Sequence, residues 1–156
     1  MKKVFRNMTL TIAFAIIAGL GLMAYIRLAP SDPAVWNTSI VTTTNIPQGT
    51  CLAAIETVSG GARATCLSTD TPDVVLSRLD ATALATPRTN RLAGTAQSGR
   101  ITWVTRSALM GYPDYTTAEA TPASGGTRLD IFARQRFGAK DFGVNAARLT
   151  EWLTDF

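Results

Sequence analysis

The chain reads as an α+β protein: one N-terminal transmembrane helix, then a single domain whose antiparallel β-sheet packs against two α-helices. Three features point there. No charged residue occurs between Met8 and Ile26. After Pro87, four strand-like stretches are separated by short, turn-rich links. Two further segments, one after Thr71 and one from about Val144, repeat apolar residues at helical spacing. The chain has 156 residues, near the size of one ordinary domain.

At 1.5 Å of rise per residue, Met8–Ile26 makes a helix roughly 28 Å long, about the thickness of a hydrocarbon core. It lacks a polar face, which argues against a buried core helix. Lys2, Lys3 and Arg6 precede it, and only Arg27 follows closely. The positive-inside rule then makes residues 1–7 a cytoplasmic tail and residues 8–26 a single pass through the inner membrane. The remainder is periplasmic: a linker at 27–36 and an exported α+β domain at 37–156. The rival is a cleaved signal peptide, which has the same charge order but a shorter apolar core and a small-x-small cut site. Cleavage after Ala29 would misplace Arg27 and leave Pro30 just past the cut, and Gly19 and Gly21 offer only a weaker site. A retained anchor is therefore preferred. The formal charge is +4, yet three of the 15 basic residues lie in the tail, so 12 face 11 acidic residues beyond it. A near-neutral exported part excludes nucleic acid as the partner.

Pro30 and Pro33 make the linker extended or turning, and Trp36 suits packing at the membrane interface or the domain's edge. Ser59-Gly60-Gly61 separates two short stretches of moderate strand character, which predicts a hairpin. Cys51 and Cys66 are the only cysteines. In an oxidising compartment they are expected to form a disulfide, stabilising by roughly 3 kcal/mol through loop closure. The alternative is two unpaired thiols in a mobile loop. A helix is expected after Thr71, with Thr71 as cap, Pro72 at the first position and Asp73 at the positive end of the dipole. Val75, Leu79 and Ala83 share one face, and Pro87 stops the helix. The strands are read in PRTNRLAG, GRITWVTRS, YTTAEAT and TRLDIFARQRF. In the second, Ile101, Trp103 and Thr105 share a face opposite Val104. In the fourth, Leu129, Ile131 and Ala133 oppose Asp130, Phe132 and Arg134. Links this short demand antiparallel neighbours. The last helix buries Leu149, Trp152, Leu153 and Phe156 against the sheet.

Four stretches, LAPSDPAVW, TPRTNRLAG, TRSALMGYPDY and RQRFGAKDFGVNAARLTEWL, resemble the bacterial family known as domain of unknown function 1499. The resemblance covers roughly Leu28 to Leu153 and is strongest after Pro87. Its most specific part is R-x-R-x-G-x-x-D-x-G-V-N-x-x-R, matched by Arg134, Arg136, Gly138, Asp141, Gly143, Val144, Asn145 and Arg148. Members close to this sequence look like single-anchor proteins of alphaproteobacteria. Many members carry a cysteine in an Asn-Cys-Val-Ser type motif, and Cys51 and Cys66 have no secure counterpart to it. The resemblance implies a fold and a location and brings no activity with it.

The catalytic repertoire is thin. There is no His, so neither a Ser-His-Asp nor a Cys-His relay can be assembled, and two cysteines alone do not make a zinc site. Lys140 reads as a solvated loop charge between glycines. No phosphate-loop, dinucleotide or paired-ligand pattern occurs, so no cofactor or metal is expected. A polar constellation remains: Arg106, Ser107, Asp114, Arg134, Arg136, Asp141, Asn145 and Arg148. Read structurally, Asp141 or Asn145 caps the last helix while Arg136 or Arg148 pairs with Asp141 or Asp114. Asp141 in particular is expected to pair with an arginine, supplemented by capping. Read functionally, the arginines converge on a helix N-terminus to hold a phosphate or carboxylate. The function expected is a non-catalytic binding or scaffold module, with an envelope protein or a small anionic ligand as partner. The alternative is a hydrolase-like or transferase-like enzyme that uses Asp and Arg on a small anionic or lipid-derived substrate.

Overall fold

The apolar N-terminus forms one helix, α1 (Lys2–Leu28), long and apolar enough to cross a membrane. Its large side chains find almost no cover within the chain until Ile26, which is buried. The computed structural model describes residues 2–42, 45–138 and 140–156. After α1 come a single turn, α2 (Pro33–Trp36), strands β1 (Glu56–Val58) and β2 (Gly61–Ser68), and helix α3 (Pro72–Ala85). Strands β3 (Thr89–Thr95), β4 (Arg100–Arg106), β5 (Pro113–Ala123) and β6 (Gly126–Gln135) follow, then α4 (Val144–Trp152). The six strands form one antiparallel sheet in the order β1-β2-β6-β5-β4-β3. The expected fold class is the observed one, and the hairpin through Ser59 and Gly60 joins β1 to β2.

Register gives the sheet two unlike faces. Ile101, Ala118, Ile131 and Ala64 lie side by side across four strands, as do Trp103, Thr116, Ala133 and Ala62. This face is apolar and carries both helices. Val75, Leu76, Leu79 and Ala83 of α3 are fully buried against it, with Leu149 and Trp152 of α4. Trp103 and Trp152 meet edge to face at 5.5 Å between ring centroids. Each indole N–H has a partner, Asp80 Oδ1 at 2.8 Å for Trp103 and Thr86 Oγ1 at 2.9 Å for Trp152. A disulfide joins Cys51 to Cys66 in the same core, with 5.0 Å between Cα atoms. Thr71 precedes α3, but its hydroxyl donates to the Asp73 carboxylate at 2.6 Å and no backbone amide is capped by it.

The opposite face is polar, and a length of chain covers it. The Trp36 ring stacks on buried Tyr115 at 3.7 Å, nearly parallel. The Trp36 carbonyl accepts from Arg134 and Thr117; farther along, Thr102 donates to the Asn37 side chain and Arg100 to the Asn37 carbonyl. Ser39 and the Ile40 amide both donate to Glu119. Residues 30–42 thus run as a strap from the end of α1 across the sheet. Part of the stretch read as linker, 30–36, is packed against the domain.

Candidate functional site

Strand direction collects the functional side chains at one end of the sheet. The β4–β5 loop (107–112), the β6–α4 loop (136–143), the Ser59-Gly60 turn and the α3–β3 link all leave from this end, and α1 arrives at the same place. Arg27 donates to the Leu109 carbonyl at 2.9 Å. Tyr25 contacts Phe137 edge-on, with 6.2 Å between ring centroids, and Phe137 in turn meets Tyr112 at 6.1 Å. Gly111 permits this approach. Its φ is +74°, and a Cβ there would lie 2.8 Å from Arg27 Cγ.

Between these loops opens a cavity of about 500 Å³. Its wall is mainly apolar, with Tyr112, Phe137, Phe142 and Val144, and Ser107, Asp114, Gln135, Lys140 and Asp141 supply polar points. Phe142 is 89 % exposed and Leu109 is 77 % exposed, the two most exposed large apolar residues of the domain.

The eight polar residues singled out from sequence do not form one site. Asp114, Asn145 and Arg148 make a largely buried group, in which Arg148 donates both to Asn145 Oδ1 and, at 3.3 Å, to Asp114 Oδ2. Arg134 and Arg136 belong to the other face, where they donate to the Trp36 and Pro30 carbonyls of the strap. Arg106 reaches the Gly111 carbonyl beside Ser107, on the far side of the β4–β5 loop. Among the described residues no arginine lines the cavity. The expected Asp141–arginine pair is not formed: among the described residues Asp141 makes no ion pair, because Arg148 turns to Asp114. Asp141 instead accepts from the amides of Gly143 and Asn145, at 3.0 and 3.3 Å. Those are free donors at the start of α4, where Gly143 sits at φ +79° and offers no side-chain cap. The carboxylate of Asp141 therefore occupies the place an external anion would take at that helix terminus.

Burial pushes the Asp114 carboxyl above its ordinary value; the Arg148 guanidinium opposes this and the nearby Asp141 charge adds to it. Burial alone lowers Arg134. Asn145, fully buried in the Asp114 group, also opposes the upward push on that carboxyl through its side chain, although Nδ2 makes no hydrogen bond of good geometry among the described residues. Sequence reasoning missed Tyr112, Phe137 and Phe142, which build the wall. Their signal was available: aromatic residues in glycine-containing loops, outside any strand or helix period.

Residues 39–156 match the family described as protein of unknown function DUF1499. The chain belongs to the DUF1499 family. The matched region holds the whole sheet, α3, α4 and the cavity, whereas α1 and residues 30–38 of the strap lie outside it. No curated protein and no solved structure matches this DUF1499 chain.

Proposed function

We propose that this DUF1499 protein is a non-catalytic binding or scaffold module held on the periplasmic face of the inner membrane. In this account residues 1–7 are cytoplasmic, residues 8–26 span the bilayer and residues 37–156 are the exported domain. The observation that carries it is the coincidence of the apolar cavity with the exit of α1. Tyr25 touches Phe137, a wall residue, so an anchored domain would present its cavity at the lipid surface. The exposed Phe142 and Leu109 on the same loops suit contact with lipid or with an apolar partner. The Cys51–Cys66 disulfide agrees with an oxidising compartment. The test is to purify the tagged full chain from membranes in mild detergent and identify the protein and lipid that travel with it. Loss of that cargo in Phe137→Ser supports the cavity as the binding site, and unchanged cargo in a folded variant counts against it.

One observation favours the second reading, an enzyme: Asp114 sits in the cavity with its carboxyl pushed upward. Against it, Arg148 holds that carboxylate and no unpaired arginine shares the cavity with it. Turnover of an anionic or lipid-derived compound that vanishes in Asp114→Asn would establish the enzyme. Cargo binding that survives the same substitution supports the module.

A further inference from the structure

A second cavity, of about 390 Å³, adjoins the first across Ser107. Arg27, Arg88 and Arg106 line it together with Asn90 and Ser107, and no acidic residue does. Each arginine spends one hydrogen bond, and each on a backbone carbonyl: Leu109 for Arg27, Arg106 for Arg88 and Gly111 for Arg106. Among the described residues none of the three has a carboxylate within salt-bridge distance, although most other arginines of the sheet and of α3 do. A guanidinium carries five N–H donors in a planar fork, so most of the donors of all three remain available. The carbonyl contacts hold the three guanidinium groups around one recess, where an anion would meet three positive charges with no competing carboxylate among the described lining residues. Arg27 is also the first charged residue after the apolar run of α1. The last charge-free turn of a membrane helix ends where lipid phosphates lie.

We propose that Arg27, Arg88 and Arg106 form a binding site for a phosphate ester, with the phosphate of an anionic lipid headgroup as one source and a free phosphate ester as the other. The lipid source rests on the reading that residues 8–26 span the membrane; the phosphate chemistry does not. The neighbouring apolar cavity then lies within reach of whatever the phosphate carries.

The test uses the full chain in uncharged detergent. In one arm it is mixed with equal phosphatidylglycerol and phosphatidylcholine, and retained lipid is counted by native mass spectrometry. In the other, inorganic phosphate and glycerol phosphate are titrated with no lipid present. Wild type should retain phosphatidylglycerol over phosphatidylcholine. Arg88→Gln and Arg106→Gln should each weaken that preference about fivefold. Arg63→Gln, the same charge change on β2, should leave it intact. Arg88 is exposed and its carbonyl contact is peripheral, so Arg88→Gln reports even where Arg106→Gln unfolds. Saturable phosphate binding with the same arginine dependence but no lipid preference assigns the site to a free ester. Equal retention of both lipids with no phosphate binding overturns the proposal, as does an equal loss in Arg63→Gln.

Discussion

The two faces of the sheet are closed in different ways. On one, α3 and α4 bury Leu76, Leu79, Leu149 and two tryptophans against Ile101, Leu129 and Ile131. On the other, an extended strap lies over Thr102, Tyr115, Thr117 and Arg134, and nearly every contact is a hydrogen bond or a stacked ring. Apolar burial contributes roughly 25 cal/mol per Å² and is indifferent to direction. A hydrogen bond adds only about 1 kcal/mol net, but it fixes register. The helix face therefore supplies stability. The strap face supplies placement: it sets where the end of α1 meets the sheet, and so which end of the domain an anchor would hold close to the membrane.

Substitutions can break that division of labour, and they are ordered here by expected effect. Trp103→Ala removes one of the two largest side chains of the helix face and should cost about 4 kcal/mol in urea unfolding of residues 31–156, with loss of cooperativity. Reduction of Cys51–Cys66 should cost roughly 3 kcal/mol by the loop-closure account, read as a drop in Tm on adding reductant. Asp114→Ala should cost about 2 kcal/mol, since Arg148, only 9 % exposed, keeps Asn145 but loses its carboxylate. Trp36→Ala should cost only about 1.5 kcal/mol. Its signature is different in kind: protease should cut the strap while the sheet and both helices stay folded. Should Trp36→Ala instead unfold the whole domain, the strap is part of the core and the two-face contrast fails. Smallest is Asp141→Ala, about 1 kcal/mol, with Asp141→Asn or Asp141→Ser restoring most of it because capping needs an acceptor and not a charge.

Two acidic groups, both on the helix side of the sheet, respond to pH in opposite senses. Asp114 is raised by burial, so the native state holds its proton more tightly than the unfolded chain, and stability falls as pH rises from 3.8 through the raised value. At Asp80 burial pushes upward too, but hydrogen bonds from Arg91 and Trp103 outweigh it and the carboxyl is lowered. Its contribution is present above 3.8 and is lost as pH falls through the lowered value. Urea midpoints measured across acid pH should lose the first slope in Asp114→Asn and the second in Asp80→Asn.

Much of this was legible in the sequence, for identifiable reasons. The period-2 pattern of Ile101 and Trp103, and of Leu129, Ile131 and Ala133, marks which side of each strand meets the helices, and Pro72 and Pro87 bracket α3. The strap was not legible, because residues 30–42 follow no period and, apart from Arg63 at Thr42, their partners across the sheet lie 63 to 106 residues away. The pairing of Arg148 with Asp114 was read as one of several options. Choosing among them requires knowing that β5 begins beside the start of α4, a tertiary fact with no local signal. Arg88 escaped notice for the same reason. Its φ of +61° at the α3–β3 link turns its guanidinium toward Arg106.

The proposed anchoring puts the cavity end of the sheet at the membrane and the β5–β6 turn away from it. Spin labels at Phe142→Cys and Ser124→Cys, each in the full chain reconstituted in liposomes, test this directly. Both added thiols are exposed, and the native cysteines are consumed in the disulfide. The label at 142 should be relaxed by oxygen from within the bilayer and shielded from an aqueous nickel chelate, while the label at 124 shows the reverse. Equal aqueous accessibility at both positions would contradict it.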